Sequence, residues 1–378
     1  MEHAQIIAST APHLSGIFAS LTNATAHWSA AQWATDMGSM REVGMSFFIL
    51  PHPAYAARPP SSACPLGGFD ANFAVKGLGA CFRQVGDLSA PGGTALTILA
   101  SAAKAGLKVH MGLALSEAAS DPYNKTAVPL YTELQKTVAR HLWNLAAASN
   151  LTSTIAGFYT EVEEYNAAWW LPVFRDWALN YLAPLSHDVK ALRSDLLVWA
   201  SPYSVGNLTR FDQRNIVNYD LYGAEWEQIF AWAADFDLVA PQDSMGAQGN
   251  SQQNVSDCLG NLSTGARRAG RPHTWSNVEL FETWPRDCQW APGAPCRGRH
   301  PAPFARFKSQ IESEWSTLQR TTGALTPTLI AWEWHSCLSP NGASAGFEFA
   351  EAARANYEAY KAWTTRPSRP RLSAASTL

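Results

Sequence analysis

The chain has 378 residues, of which 47% are hydrophobic, and this is enough for one large core or two ordinary domains. A formal net charge of -3 gives no electrostatic reason to expect nucleic acid or an anionic membrane as a partner. No apolar run reaches the roughly 18 residues that a transmembrane helix needs, so we expect no membrane-spanning segment.

Short apolar runs alternate with helical patterns along the chain. We predict eight strands, which in chain order cover residues 14–18, 45–50, 107–113, 155–159, 196–200, 236–240, 274–279 and 329–332. A helical pattern follows each strand, and the predicted helices cover residues 30–43, 94–105, 128–148, 169–192, 222–234, 255–269, 304–321 and 347–363. Between the second strand and the second helix lies a long Pro- and Gly-rich segment, which we predict to be a loop.

Eight strands, each followed by a helix, favour a single (β/α)8 TIM barrel with extended βα loops, which we assign to residues 12–365. Strands and helices alternate in a similar way in doubly wound sheets. The count of eight strands, and not alternation alone, therefore favours a barrel. The tail at 366–378 has the composition of a disordered segment. No GxGxxG or Walker pattern follows a strand, which disfavours nucleotide-binding folds, and we expect no cofactor.

Six cysteines form no CxxC motif and have no histidine at zinc-finger spacing, which argues against a structural zinc site. Most of them lie in loop-like stretches, and an even number of cysteines in loops indicates disulfide bonds in an oxidising compartment. We favour the local pairs Cys64–Cys81 and Cys288–Cys296. Cys258 and Cys337 would then pair with each other or remain free.

Six N-x-[ST] sequons also point to the secretory pathway. Their asparagines are Asn23, Asn124, Asn150, Asn207, Asn254 and Asn261. The sequence starts without a recognisable signal peptide. We therefore expect a secreted or lumenal glycoprotein whose signal peptide is not visible in this chain.

Acidic residues follow two of the predicted strands, at the ends where TIM barrels carry their chemistry. Glu161, Glu163 and Glu164 come after strand four, and strand seven ends at Glu279. Acids after these strands lie across the barrel mouth from each other, and glycoside hydrolysis needs two carboxyl groups that flank the glycosidic bond. Our candidates are Glu163 as general acid/base and Glu279 as nucleophile. Glu163 could instead be an acid that stabilises a helix N-terminus.

The remaining strand ends are rich in amides and aromatic side chains and poor in Lys and Arg, which argues against phosphorylated substrates. We expect substrate contacts from Glu161, Tyr203, Gln242, Asp243, Trp275, Asn277, Trp332 and Trp334. Asp243 has a simpler explanation, because it could form an Asx-turn. Glu333 is not among the expected contacts, because strand alternation points it away from the mouth. His110 is expected to be a hydrogen-bonded barrel residue. No HxH or HExxH motif occurs, so we expect no metal ion.

Several segments, in this order, resemble one known family. They are GFYTEVEEYN, WASPY, DLVAPQDSMG, WSNVELFE and AWEWHSCLSP. The chain is similar over roughly residues 12–362 to the family called domain of unknown function 4434, which consists of glycoside-hydrolase-like TIM barrels. The resemblance implies a glutamate after strand four, and this position maps best onto Glu163. Where retaining barrel hydrolases usually carry Asn before that glutamate, this sequence has Val162.

The expected function is therefore hydrolysis of a glycosidic bond in an oligo- or polysaccharide, with retention of configuration, by a monomer. The first alternative is a non-catalytic carbohydrate-binding barrel, which would keep the tryptophans and lack a correctly spaced carboxyl pair. A polysaccharide lyase or glycan deacetylase is a second alternative. The few basic and histidine side chains at the strand ends count against it. The sequence leaves open the sugar, the linkage and the choice between endo and exo action.

Overall fold

The structure is a computed structural model that describes residues 11–90, 92–116, 125–160, 171–204, 218–271, 273–283 and 299–365. The strands, in chain order, are β1 Gly16–Phe18, β2 Phe47–Leu50, β3 Ala54–Arg58, β4 Gly68–Ala71, β5 Phe82–Gln84, β6 Lys108–Gly112, β7 Ala114–Leu115, β8 Ile155–Thr160, β9 Leu197–Ala200, β10 Leu238–Val239, β11 Ser276–Glu279, β12 Phe281–Thr283, β13 Arg299–Pro301 and β14 Leu329–Trp332. The helices, in chain order, are α1 Ala30–Glu42, α2 Thr94–Ala105, α3 Ala127–Ala148, α4 Leu171–Trp177, α5 Ala183–Leu192, α6 Tyr219–Trp232, α7 Gln252–Arg268, α8 Phe304–Thr322, α9 Trp334–Cys337 and α10 Ala350–Thr364.

Eight of the strands form one parallel sheet in the order β10-β9-β8-β6-β2-β1-β14-β11. The two end strands meet at a parallel bridge between Gln242 and Asn277, which brings the sheet close to a closed barrel. Helices surround this sheet, because the connection between two parallel strands must cross back over its outer face. The prediction of a (β/α)8 TIM barrel is confirmed.

The barrel interior is filled by side chains that alternate along the strands with those facing the helices. This interior cluster comprises Phe18, Phe47, Ile49, Tyr159, Trp199, Leu238, Ala240, Trp275 and Ile330. His110 belongs to the same layer, where its Nδ1 accepts a hydrogen bond from Trp199 Nε1 at 3.0 Å. Burial lowers the pKa of His110 to about 3, so the ring is neutral, as expected for a hydrogen-bonded barrel residue.

The segment after β2 differs from the predicted loop, because it forms a small four-stranded sheet in the order β5-β4-β3-β7. The Cys64–Cys81 disulfide forms as predicted and links the connection between β3 and β4 to the residue before β5, and Asp70 accepts hydrogen bonds from the Arg83 guanidinium. Strands this short carry too little periodicity to be recognised in the sequence. Their stability comes from pairing and from the cross-link.

Two further predictions have defined outcomes. The helix expected at 169–192 is described from Leu171 and is interrupted by a π-helical turn at Ala178–Leu182. Cys258 and Cys337 are buried free thiols. The Cys288–Cys296 pair and the tail at 366–378 lie outside the described residues.

Candidate active site

Glu279 is the last residue of β11, and strand alternation places its side chain on the same side as Trp275 and Asn277. It is 2% exposed. Its Oε2 accepts two backbone hydrogen bonds, from Gly246 N at 2.8 Å and from Ala247 N at 2.7 Å. One carboxylate oxygen is thus held in place by the loop that follows β10, and among the described residues no donor reaches the other oxygen.

The loop that follows β10 forms a tight turn around Asp243. Asp243 Oδ1 accepts a hydrogen bond from Met245 N at 3.0 Å, which is the Asx-turn anticipated as the simpler explanation of this residue. Ser244 adopts the left-handed conformation with φ 54°, and Asn250 Nδ2 donates to the Asp243 carbonyl. The turn therefore has a fixed shape, and it presents the two N–H groups that bind Glu279.

Asp243 is 2% exposed, and its second carboxylate oxygen faces α8. Oδ2 accepts a hydrogen bond from Gln310 Nε2 at 2.6 Å, and the buried carboxyl group of Glu314, one helical turn further along α8, interacts with Asp243. Glu314 also accepts a hydrogen bond from Ser276 Oγ on β11. Both carboxylate oxygens of Asp243 are thus engaged within the protein, and its contact with a substrate remains a prediction.

Three carboxyl groups, those of Asp243, Glu279 and Glu314, are buried together, and this changes their ionisation. Burial, reinforced by the charge of Asp243, raises the pKa of Glu279 to about 8, although two N–H groups and Arg299 act in the opposite direction. Burial, again with the charge of Asp243, raises the pKa of Glu314 well above its ordinary value. Burial also raises the pKa of Asp243, against the opposing effects of the Met245 N–H and Arg306.

Asn277 and Gln242 lie next to each other where the barrel closes. Asn277 Nδ2 donates to Ser201 Oγ at 2.9 Å, and Gln242 Nε2 donates to the Ser201 carbonyl at 3.0 Å. Asn277 Oδ1 is buried and accepts no hydrogen bond from the described residues. Gln242 and the nearby Tyr203 are partly exposed. The structure therefore brings these predicted contact residues together beside β11.

Trp332 is paired in register with Glu279 on the neighbouring strand β14. Its ring is partly exposed and packs against Phe18, with ring centroids 4.8 Å apart. The Trp332–Glu333 peptide bond is cis. A partly exposed indole beside a carboxyl group is an arrangement suited to stacking against a sugar ring.

Trp275 and Trp334 lie elsewhere. Trp275 is 8% exposed and packs inside the barrel against Phe47 and Trp199, with ring centroids 5.2 Å and 5.3 Å away. Trp334 is fully buried behind the barrel wall, where its Nε1 donates to Asp36 Oδ2 at 2.9 Å. In a continued strand, Trp334 would share a face with Trp332, but α9 begins at Trp334 and the alternation of a strand stops there.

Glu161 and Glu163 lie outside the described residues, which on this side end with β8. The last residues of β8 that the structure describes are buried. Tyr159 packs against Trp199 in the barrel interior, with ring centroids 4.8 Å apart. The assignment of Glu163 as acid/base and of Glu161 as a binding residue remains a prediction.

A buried ionic network behind β14 was missed by sequence reasoning. His335 Nε2 lies 3.1 Å from Asp36 Oδ2, and His335 Nδ1 lies 3.7 Å from Glu333 Oε1. Glu333 accepts hydrogen bonds from Ser20 N and from Ser336, so it ties the first βα loop to the last. Burial lowers the pKa of His335, but the Asp36 and Glu333 carboxylates outweigh this effect and raise it to about 10.

The described residues contain no group of three or more His, Cys, Asp or Glu that could hold a metal ion. None of the helices within the described ranges is long and apolar enough to cross a membrane.

The fold is a (β/α)8 barrel, and it places a buried carboxyl group at the carboxyl end of β11. The chain belongs to the family described as Domain of unknown function (DUF4434), whose model matches residues 14–344. The resemblance inferred from the sequence motifs is confirmed. No curated protein matches the chain.

Solved structures show the same fold at low sequence identity. A protein from Bacteroides thetaiotaomicron VPI-5482, provisionally named as an alpha-L-fucosidase, matches with a TM-score of 0.62 and 17% identity over 94% of each chain. The endo-1,4-beta-mannanase from Rhizomucor miehei matches with a TM-score of 0.51 and 11% identity, over 93% of this chain and 95% of the other. The endo-beta-1,4-mannanase from Thermotoga petrophila gives a TM-score of 0.51 at 10% identity, over 96% and 79%.

Proposed function

We propose that this protein hydrolyses a glycosidic bond in an oligo- or polysaccharide, with Glu279 and Glu163 as its two carboxyl groups. Glu279 is the nucleophile and Glu163 is the general acid/base, so the reaction retains the anomeric configuration. In this mechanism Glu279 attacks the anomeric carbon while Glu163 protonates the leaving oxygen. Glu163 then takes a proton from the water that releases the sugar.

The position of Glu279 carries the proposal. It lies at the carboxyl end of a barrel strand, where TIM-barrel enzymes place catalytic groups, and two backbone N–H groups hold one of its oxygens. A fixed Oε2 leaves Oε1 as the attacking atom and restricts its direction. Such positioning lowers the entropic cost of reaching the transition state.

The neighbouring side chains support a neutral carbohydrate as the substrate. Trp332 offers an apolar face beside Glu279, and the partly exposed Gln242 offers an amide group for hydroxyls. Asn277 is buried next to Gln242, so it contributes to the shape of this wall and not to direct contact with a sugar. Sugar recognition commonly combines an aromatic face with a few polar groups, and Trp332 and Gln242 supply both.

One observation favours the alternative, a non-catalytic carbohydrate-binding barrel. Glu279 is almost fully buried, and a carboxyl group with a pKa near 8 is mainly protonated at neutral pH. A protonated Glu279 cannot attack an anomeric carbon, although it can still hydrogen bond to a sugar hydroxyl. On this alternative the barrel would bind glycans and release no product.

A polysaccharide digestion screen combined with a glycan array separates the two functions. We expect the wild-type protein to release sugars, and Glu279→Gln and Glu163→Gln each to lower the rate by at least about 100-fold. Glu351→Gln, at an exposed position on α10, is the matched control and keeps the wild-type rate. With Glu279→Ala, added azide restores turnover and yields a glycosyl azide if Glu279 is the nucleophile. Binding without release by every protein would establish the alternative.

We also propose that the protein is secreted or lumenal and carries N-glycans. The Cys64–Cys81 disulfide supports an oxidising compartment. Asn23 and Asn150 are exposed, whereas the side chains of Asn254 and Asn261 form hydrogen bonds within α7. Glycopeptide mapping after expression in secreting eukaryotic cells should find glycans at Asn23 and Asn150. Secretion without a glycan at either site would contradict the proposal that the protein carries N-glycans.

A further inference from the structure

The carboxyl group of Asp243 connects α8 to the turn that binds Glu279. One oxygen accepts the Met245 N–H at 3.0 Å and the other accepts the Gln310 amide at 2.6 Å. Because Met245 immediately precedes Gly246, any shift of Asp243 moves the N–H groups that hold Glu279 Oε2. Asp243 thus fixes the position of Glu279 without facing the barrel mouth itself.

Glu314 provides the other half of this buried pair. Its carboxyl group is buried beside that of Asp243, and two interacting carboxyl groups in a buried site cannot both be ionised without a large cost, so one of them is protonated. Asp243 already accepts two N–H donors, which stabilise its ionised form. Glu314 accepts only the Ser276 hydroxyl among the described residues, and its Oε1 receives no hydrogen bond. The proton therefore belongs on Glu314.

Among the residues that the structure describes, few charges act on this pair. Arg306 lies on α8 and acts on Asp243, but Glu282 shares its charge through an ion pair of 2.8 Å. Arg299 on β13 acts on Glu279. After burial, the negative charge of Asp243 is the main effect that raises the pKa of Glu279, because a like charge inside a protein disfavours ionisation.

We propose that Asp243 and Glu314 form a positioning unit for Glu279, in which Glu314 holds the proton and the charge of Asp243 sets the ionisation of Glu279. This inference rests on the proposed function only for its effect on catalysis. The positions and charges of the three carboxyl groups are properties of the free protein. They can be measured whether or not the protein cleaves a sugar.

The test is ¹³C NMR of selectively labelled glutamate side-chain carboxyls, followed across pH. We use the wild type, Asp243→Asn, Glu314→Gln and the control Glu312→Gln, which alters a surface ion pair on the same helix. The Glu279 and Glu314 resonances are assigned by their loss in Glu279→Gln and Glu314→Gln. In the wild type, Glu314 should remain protonated at pH 7.

Asp243→Asn should lower the midpoint of the Glu279 titration by roughly one pH unit or more, because it removes a like charge. Glu314→Gln should leave that midpoint unchanged, since the glutamine amide still donates to Asp243, and Glu312→Gln should also leave it unchanged. If the protein is an active enzyme, the acidic limb of the plot of kcat/KM against pH should shift to lower pH together with the midpoint of the Glu279 titration. The proposal is overturned if Glu314 is ionised at pH 7. It is also overturned if the midpoint of the Glu279 titration is the same in Asp243→Asn as in the wild type. If Asp243→Asn fails to fold, two other measurements test the proposal. They are the protonation state of Glu314 in the wild type at pH 7 and the midpoint of the Glu279 titration in Glu314→Gln.

Discussion

Gly246 approaches Glu279 so closely that a Cβ atom at position 246 would lie 3.0 Å from Glu279 Oε2 and 2.2 Å from the Phe281 carbonyl oxygen. The Gly246 N–H donates to that same Oε2 at 2.8 Å. Thr283 N and Oγ1 both donate to the Gly246 carbonyl, so the turn is held from two sides. The absence of a side chain at position 246 is therefore a condition for the contact that orients Glu279.

Gly246→Ala should weaken both activity and stability. The added methyl group collides with backbone, which cannot rotate away, so the turn must move and the N–H bonds to Glu279 must lengthen. We expect a loss of about 1–3 kcal/mol in the free energy of unfolding, measured by urea denaturation, and a clear fall in kcat. Gly38→Ala is the control, because a Cβ in the middle of α1 meets nothing within 4 Å. Equal stability of the two variants would show that the turn is not held as described.

The barrel could be predicted because its signals are local. Each strand is a short apolar run, each helix has its own periodicity, and the position of Glu279 at a strand end follows from both. The register with Trp332 and the bridge that closes the barrel then follow from the fold. The part of the site formed by strand ends was therefore accessible to sequence reasoning.

The buried polar networks could not be predicted, because their partners are distant in sequence. Gln310 and Asp243 are 67 residues apart, and His335 and Asp36 are 299 residues apart. A local signal did exist on α8, where Gln310 and the acid one turn later lie on the same buried helix face. Such a polar pair on a buried face indicates a partner without identifying it.

Glu279→Gln should change how stability depends on pH. Burial and the charge of Asp243 raise the pKa of Glu279 from 4.5 to about 8 in the folded state, so the folded protein binds more protons than the unfolded chain between these values. The wild type therefore loses stability as the pH rises from about 4.5 to 8. In Glu279→Gln this loss is reduced, and at pH 8.5 the variant should exceed the wild type by at least about 1 kcal/mol. Thermal unfolding at pH 5 and pH 8.5 measures this, and parallel profiles for both proteins would contradict it.

His335→Gln should be strongly destabilising, because it leaves the Asp36 and Glu333 carboxylates buried without a counter-charge. We expect a loss of about 3–5 kcal/mol near neutral pH. His187→Gln is the control, since His187 forms an exposed pair with Asp235, and pairs of this kind contribute about 0–1 kcal/mol.

The same network predicts that the free energy of unfolding falls at alkaline pH. Because the pKa of His335 rises from 6.5 to about 10 on folding, its contribution is complete below pH 6.5 and is lost as the pH rises through 10. Urea denaturation of the wild type at pH 6.5, 8 and 10 should show this decline. His335→Gln should lack it. A wild-type curve that is flat over this range would mean that His335 is neutral in the folded protein.

Trp332→Ala should weaken carbohydrate binding, because Trp332 is the partly exposed indole paired in register with Glu279. Loss of an aromatic platform should raise KM or Kd by roughly tenfold or more, which corresponds to about 1.4 kcal/mol, while Trp332→Phe should keep part of the affinity. Trp143→Phe is the control, because Trp143 lies on α3 beneath the Arg193 guanidinium. Titration with the sugar found in the digestion screen, followed by tryptophan fluorescence, measures all three variants. If quenching by the sugar persists in Trp332→Ala and the affinity is unchanged, the sugar binds to a different wall of the barrel mouth, and Glu279 loses its proposed place beside the substrate.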